Sequence, residues 1–164
     1  MLLSSDDGIH WHEVSVIYDG NGVNETCLEF GPNGELTALV RREVSPWFPA
    51  VCRSSPPYDS WSAQIADAFL QGPMLKRLEG KFLVVGRIKE GDRYRTGLFF
   101  LEGSHLAQFG VLPSGGDTSY AGFQVVEPGR AFLSYYSSHE YDDTPKGAEG
   151  PAAIYLAELV FSNL

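Results

Sequence analysis

Basic residues are scarce in this sequence, where 12 lysines and arginines stand against 21 acidic residues for a net charge of −9. Such a surface repels a phosphate backbone, and no run of Lys or Arg offsets it locally, so nucleic acid is not expected as a partner. Long apolar runs are also missing. None approaches the roughly 20 residues of a membrane helix, and residues 1–3 enter a polar turn without a signal-peptide core. We expect a soluble protein without a membrane partner, and its compartment stays unknown.

Cysteine and metal-ligand patterns are equally sparse. Cys27 lies in an apolar strand-like run and Cys52 beside a polar loop. Two free thiols, buried or half-buried, are therefore predicted in preference to a disulfide or a metal pair. His10, His12 and His105 lack the spacing of metal ligands, so the sequence predicts neither a metal site nor another cofactor.

Helical periodicity is almost absent, whereas 18 glycines and 10 prolines separate short β-branched or aromatic runs. This composition predicts an all-β fold, and 164 residues are enough to bury one core, so we expect a single domain over 1–164. Three segments share the order strand, glycine turn, strand: 26–43, 72–90 and 121–138. Their turn glycines, Gly34, Gly80 and Gly129, lie 46 and 49 residues apart.

A repeat of that length is close to a four-stranded propeller blade. Further strands are predicted at 94–102, 105–112 and 152–161, with long loops at 47–58 and 138–151. The sequence thus predicts a partial β-propeller of about three and a half blades. The expected ranges are a blade end at 1–19 and blades at 24–66, 73–112 and 119–161.

Equal offsets from the turn glycines should bring residues together around a propeller axis. Large polar residues occupy these offsets at the ends of apolar strands, as a lined central pocket requires. Seven residues after the glycines stand Arg41, Arg87 and Tyr136, and nine residues before them stand Glu25, Gln71 and Tyr120.

The opening stretch "SSDDGIHW" (4–11) matches the pattern Ser/Thr-x-Asp-x-Gly-x-x-Trp through Ser4, Asp6, Gly8 and Trp11. It resembles the Asp box, the turn between outer strands of sialidase-type blades. We expect the Ser and Asp side chains to cap backbone N–H groups, Gly8 to take a positive φ, and Trp11 to pack under the adjacent strand. A calcium loop is the alternative, but the stretch offers only two carboxylates.

Other segments extend the resemblance to sialidases across essentially the whole chain. "NETCLEFGPNGELTALVRR" is similar to the segment in which an inner-strand Glu precedes an Arg, here Glu25 and Arg41. "GDTSYAGFQVVEPGRAFLSYY" resembles the segment of the nucleophilic Tyr, which places that role on Tyr120. "FLVVGR" resembles the segment between them, and this resemblance makes Arg87 the candidate for a further arginine of the carboxylate-binding triad. The chain resembles the C-terminal half of a bacterial exo-α-sialidase-like Asp-box protein, that is, a sialidase-type propeller.

The resemblance implies a retaining glycoside hydrolase whose ligand is a glycan or small carbohydrate. Sialic acid carries a carboxylate on its anomeric carbon, and sialidases use a Tyr nucleophile. A neighbouring Glu would activate the phenol as a base, and the arginines would hold the substrate carboxylate. Glu25 and Tyr120 are thus the catalytic candidates, and Arg41 and Arg87 the substrate-binding ones.

Each assignment has a plainer alternative. Glu25 could be an exposed residue at a strand edge or part of the glycosylation sequon 24–26, and Arg41 could form a surface ion pair. Tyr120 could be a core tyrosine. Arg93 and Arg95 are alternatives to Arg87 for the same role. The family's first arginine and its acid/base Asp are not recognisable. We therefore expect the chain to be inactive alone, and self-association or an N-terminal half to complete the propeller. A non-catalytic propeller fragment that binds carbohydrate or protein, and a hydrolase for another sugar, are the alternatives.

Overall fold

The computed structural model describes residues 1–141 and 151–161, and within them the chain forms thirteen β-strands. The strands, in chain order, are β1 (Leu2–Ser4), β2 (His12–Ser15), β3 (Val23–Phe30), β4 (Leu36–Arg42), β5 (Ala50–Ser54), β6 (Ser62–Ile65), β7 (Gln71–Leu78), β8 (Lys81–Glu90), β9 (Arg93–Glu102), β10 (His105–Leu112), β11 (Thr118–Glu127), β12 (Arg130–Ser137) and β13 (Ala153–Val160). The strands predicted at 94–102, 105–112 and 152–161 correspond to β9, β10 and β13. Each predicted boundary is confirmed within one residue.

The strands form four antiparallel sheets in which neighbours in the chain are neighbours in space. Sheet 1 contains β1 and β2, sheet 2 contains β3 to β6, sheet 3 contains β7 to β10, and sheet 4 contains β11 to β13. No sheet of the described residues closes into a barrel. The all-β prediction is confirmed.

Tight turns explain why the repeated segments fold as hairpins. Leu78 pairs with Lys81 across the two residues Glu79 and Gly80, whose φ values are 47° and 86°. Two positive φ angles are typical of the type I′ turn, whose twist matches that of antiparallel strands. The β3–β4 connection is wider, since Phe30 pairs with Leu36.

Apolar clusters fill the spaces between consecutive sheets. Leu39 of sheet 2 and Val84 of sheet 3 share one cluster, while Leu83 of sheet 3 and Leu133 of sheet 4 share another. Strand β8 is therefore buried on both faces, which explains its continuous apolar run. The first strands of sheets 2 and 4, β3 and β11, both contact β7, the first strand of sheet 3. Their ends consequently meet at one edge of the packed sheets.

The predicted loop at 47–58 is wrong in its middle. Prolines at 46, 49, 56 and 57 suggested a loop, but Ala50–Ser54 forms strand β5. Ala50, Val51 and Cys52 are buried between neighbouring sheets, so tertiary packing outweighs the flanking prolines. The predicted free thiols are confirmed, with Cys52 buried and Cys27 half-buried. The predicted loop at 138–151 lies mostly outside the described residues.

The N-terminal turn departs from the expected Asp-box contacts by one residue. Ser5 Oγ accepts hydrogen bonds from the backbone N–H groups of Asp7 and Gly8, and Asp7 Oδ1 accepts from those of Ile9 and His10. Gly8 has the expected positive φ of 74°. The expectation for Trp11 is wrong, because its side chain is 58% exposed. The capping physics is as predicted, but Ser5 and Asp7 provide it instead of Ser4 and Asp6.

Candidate functional site

β-Bulges near the starts of β3, β7 and β11 determine where the candidate side chains lie. The pairing register shifts between Val23 and Thr26, between Gln71 and Met74, and between Ser119 and Gly122. A bulge re-aims side chains that a regular strand would send to alternate faces. The three bulges thus direct residues of three sheets toward the shared edge.

Tyr120 sits in the bulge of β11 with a φ of 51°. A left-handed backbone is uncommon for a bulky residue, and such conformations are concentrated at functional sites. Gly72 takes the same position in β7, with a φ of 53°. Its missing side chain leaves room for Ser119, whose Oγ would lie 2.0 Å from a Cβ at position 72. The close approach of β7 to β11 therefore requires this glycine.

Tyr120 and Glu25 are in contact, as the sequence analysis expected. The Tyr120 hydroxyl donates a hydrogen bond to Glu25 Oε1. Glu25 Oε1 also accepts from Arg41 Nη1 at 2.6 Å, whereas Oε2 is inaccessible and has no partner among the described residues. The hydrogen bond to Glu25 is the main cause that raises the pKa of Tyr120, since loss of the proton would place two anions together. A phenol and a proton acceptor are therefore juxtaposed.

Arg41 is held by carboxylates and an amide. Its side chain follows Leu39 on the face of β4 that packs on sheet 3, because alternate residues of a strand share a face. Its Nη2 donates to Glu43 at 2.6 Å and its Nε to Gln71. All three guanidinium nitrogens, including the Nη1 that contacts Glu25, therefore already have a partner.

Arg87 repeats this arrangement one sheet further on. It follows Val85 on the face of β8 that packs on sheet 4. Its Nη2 lies 2.6 Å from Asp117 Oδ1 and 3.1 Å from the Tyr136 hydroxyl, and its Nε donates to the Thr118 carbonyl at 2.7 Å. The Tyr136 hydroxyl in turn donates to Asp117 at 2.7 Å. Burial is the first cause, and Asp117 the second, that raises the pKa of Tyr136 to about 12.

A cavity of about 480 Å³ opens beside these groups. Arg41 and Arg87 both line it, as expected, and the other lining residues are Ser45, Pro46, Trp47, Phe69, Gln71, Lys89 and Tyr94. Glu25 and Tyr120 adjoin the cavity through Arg41 and are not among its lining residues. The rings of Tyr120 and Tyr136 stack with centroids 6.1 Å apart, which links the Glu25 side of the site to Arg87. The four predicted site residues thus lie in one connected group.

Gln71 joins Arg41 to the rim of the cavity. It is 3% exposed, and its Oε1 accepts from Arg41 Nε. Its Nε2 contacts the carbonyls of Arg42 and Leu70 at 3.1 Å and that of Trp47 at 3.4 Å. A buried amide with partners on both ends fixes the positions of the groups around it.

The offset count located the site but misassigned one equivalence. Gln71 pairs with Arg87 as Ser119 pairs with Tyr136, so Gln71 corresponds to Ser119 and not to Tyr120. A bulge adds a residue to one strand, and a count along the sequence cannot register it. Asp117, three residues before Tyr120, carried no signal apart from its proximity to that residue.

The rival arginines lie elsewhere. Arg93 and Arg95 belong to β9, and neither is among the residues that line the cavity. Within residues 1–141 and 151–161, no group of three or more His, Cys, Asp and Glu side chains is placed to hold a metal ion. The same residues contain no helix long and apolar enough to cross a membrane.

Comparison with known proteins identifies a shared fold and no function. No family model and no curated protein matches the chain. Among solved structures, a protein of unknown function from Dyadobacter fermentans superposes with a TM-score of 0.79 at 19% sequence identity. The match covers 98% of this chain and 45% of that one, so this chain spans less than half the length of the Dyadobacter protein.

Proposed function

We propose that this chain carries the nucleophile side of a sialidase-like active site, built on a partial propeller whose blades are sheets 1 to 4. The order of the sheets, the apolar clusters between consecutive sheets and the contacts of β3 and β11 with β7 support that architecture. The observation that carries the functional proposal is the hydrogen bond from the Tyr120 hydroxyl to Glu25, on a carboxylate that also holds Arg41.

The proposed step is attack of the Tyr120 oxygen on the anomeric carbon of a sialoside. The bond to the leaving group breaks as the bond to Tyr120 forms, and the phenolic proton passes to Glu25, whose Oε2 has free lone pairs. A phenol suits this role because it is neutral, and a substrate carboxylate on the anomeric carbon would repel a carboxylate nucleophile. Arg87 and Arg41 would bind that carboxylate by charge-assisted hydrogen bonds.

An alkoxide leaving group also needs a proton donor, and none is assigned among the described residues. We therefore propose that the chain alone does not turn over alkyl sialosides. A 2,3-difluoro sialic acid bypasses this requirement because fluoride leaves without protonation. The C–F bond breaks, Tyr120 becomes glycosylated, and its proton goes to Glu25.

The test measures the rate at which this probe increases the protein mass. Wild type is expected to gain one sugar, Tyr120→Phe to gain none, and Glu25→Gln to react at least tenfold more slowly. Tyr141→Phe is the matched control for the first variant, because the two tyrosines are 56% and 57% exposed. Glu43→Gln is the control for the second, since Glu43 also contacts Arg41 at 2.6 Å but does not touch Tyr120. Equal labelling of Tyr120→Phe and wild type would contradict the proposal.

One observation favours a non-catalytic carbohydrate-binding propeller as the second candidate. The raised pKa of Tyr120 keeps it protonated at neutral pH, and Glu25 is already engaged by Arg41. A site of this kind would bind an acidic sugar without forming an adduct. Saturable binding of N-acetylneuraminic acid without labelling by the difluoro probe would favour this candidate over the hydrolase.

A further inference from the structure

The cavity beside Arg41 is lined by cationic side chains with N–H groups that form no hydrogen bond to a described residue. Arg87 binds its hydrogen-bond partners through Nε and Nη2, and its guanidinium lies over the Tyr94 ring, 5.5 Å from the centroid. No described residue accepts a hydrogen bond from its Nη1. Lys89 also lines the cavity, and its ammonium forms no ion pair or hydrogen bond with any residue of the described ranges. Arg87 and Lys89 are two residues apart on β8 and so share a face. Together they offer unused donors on one wall.

The local balance of charge makes this wall attractive to an anion. Arg41 contacts two carboxylates and Arg87 contacts one, whereas Lys89 contacts none in the described chain. The three cations are matched in number by three carboxylates, but none of these carboxylates lines the cavity. The charged side chains that line the cavity are therefore all cationic, although the protein carries a net charge of −9. A cationic cleft in an otherwise acidic surface concentrates negatively charged ligands at that point.

An aromatic surface at the rim faces the same cavity. Trp47 is 40% exposed and has a φ of 68°, which is strained for a bulky side chain. Its backbone is held by the hydrogen bond from its N–H to the Val44 carbonyl at 2.7 Å and by the contact of its own carbonyl with Gln71. Strain that its surroundings maintain indicates a side chain whose position matters. Phe69 and Tyr94, whose rings stack at 6.3 Å, also line the cavity.

We propose that Lys89 and Trp47 form a specificity-determining subsite for a sugar acid. Lys89 and Arg87 Nη1 bind the carboxylate of the ligand, and the Trp47 indole covers an apolar face of its ring. The inference rests on the proposed function, because that function supplies the acidic sugar as the ligand class. It adds Lys89, which the sequence analysis did not single out, and it places the main anion contact on β8, because Arg41 already pairs with two carboxylates.

Trp47 itself provides the measurement. The chain has three tryptophans, so Trp11→Phe combined with Trp61→Phe leaves Trp47 as the only indole. N-acetylneuraminic acid is titrated into this protein, with the methyl ester of the same sugar as an uncharged probe. We expect saturable quenching by the acid and binding of the ester that is about tenfold weaker. Calorimetry on the wild-type protein provides the dissociation constants without substitutions.

Substitution of Lys89 by methionine removes the positive charge and keeps a long side chain, so it tests the contribution of the charge to binding. Lys89→Met is expected to weaken binding of the acid about tenfold, or ~1.4 kcal/mol, and to leave the ester unaffected. Lys81→Met is the control, because Lys81 lies at the other end of β8 and contacts Phe100. Trp47→Leu should weaken both probes. Thermal midpoints of all variants identify any that are misfolded.

The outcomes distinguish this inference from the proposed hydrolase. Equal affinities of wild type and Lys89→Met for the acid would overturn the subsite, and so would equal affinities for acid and ester or an absence of binding by either probe. Labelling of Tyr120 that is indifferent to Lys89→Met would reject the subsite and retain the nucleophile. Binding that depends on Lys89, without any labelling, would retain the subsite and reject the hydrolase.

Discussion

Gln71→Leu should destabilise the protein more than any other substitution of a single buried polar side chain near the cavity. The amide is 3% exposed, and leucine is of similar size, so the change removes hydrogen bonds while it leaves little empty space. It leaves Arg41 Nε without its acceptor and removes the amide donor from the Arg42 carbonyl. The Trp47 carbonyl loses the same donor but keeps the Leu70 N–H at 3.4 Å. The free energy of unfolding is therefore expected to fall substantially.

The magnitude follows from the groups left without partners. A buried donor or acceptor that loses its partner costs about 1–3 kcal/mol, and the leucine returns part of this through apolar burial. We expect a net loss of about 2–4 kcal/mol. In a domain of this size, 1 kcal/mol corresponds to roughly 2–4 °C, so the thermal midpoint should fall by roughly 4–16 °C.

Thr37→Val is the matched control. Thr37 is fully buried, and its Oγ1 has no partner among the described residues, so valine removes a hydroxyl that makes no hydrogen bond. Its unfolding free energy should be unchanged or higher by about 1 kcal/mol. Chemical denaturation followed by tryptophan fluorescence measures both variants. A Gln71→Leu protein as stable as wild type, or no less stable than Thr37→Val, would refute the role of Gln71 as the link between Arg41 and the rim.

Three further predictions concern the bulge, a surface ion pair and the thiols. Gly72→Ala should cost about 2–4 kcal/mol, because its Cβ would collide with Ser119 Oγ at a positive φ, and Ser119→Ala in the same protein should restore part of this loss in a denaturation series. Asp67 raises the pKa of His105, so the ion pair stabilises the fold below pH ~6.5 and this contribution is lost as the pH rises through the raised pKa. Thermal midpoints should therefore fall with pH over that range in wild type but not in His105→Gln. Burial raises the pKa of the Cys27 thiol to about 12 and that of the Cys52 thiol to about 11. A thiol reagent should therefore modify neither cysteine in the native protein and both in denaturant. Rapid modification of the native protein would contradict the described burial.

The parts of the fold that the sequence predicted are those with strong local signals. Glycine turns at positions 80 and 129 and the apolar strands beside them identify hairpins, because turn chemistry and strand periodicity act over a few residues. Strand β5 was missed, since its flanking prolines indicate a loop and only packing between sheets 1 and 3 makes Ala50–Cys52 buried. Trp11 was predicted to be packed and is exposed, because a match to the sequence pattern does not ensure that a neighbouring surface is present to cover the side chain.

The candidate site was predictable where the repeat is regular. Arg41 and Arg87 follow core residues at equivalent places on β4 and β8, so periodicity alone brings both to one cavity. The offset count placed Gln71 at the pocket without giving it a role, and Lys89 was not predicted as a site residue. The position of Gln71 depends on the β7 bulge, and the availability of Lys89 depends on which cations have carboxylate partners. Both are properties of the folded chain. Residue types along the sequence do not contain that information.

Peptide mapping of the protein after exposure to 2,3-difluoro sialic acid tests the central claim most directly. The account predicts a single glycosyl adduct on Tyr120, formed in wild type and in Tyr141→Phe and slowed at least tenfold in Glu25→Gln. An unmodified Tyr120 in protein that shows its native thermal midpoint, or an adduct on a different residue, would contradict the assignment of Tyr120 and Glu25 as nucleophile and base.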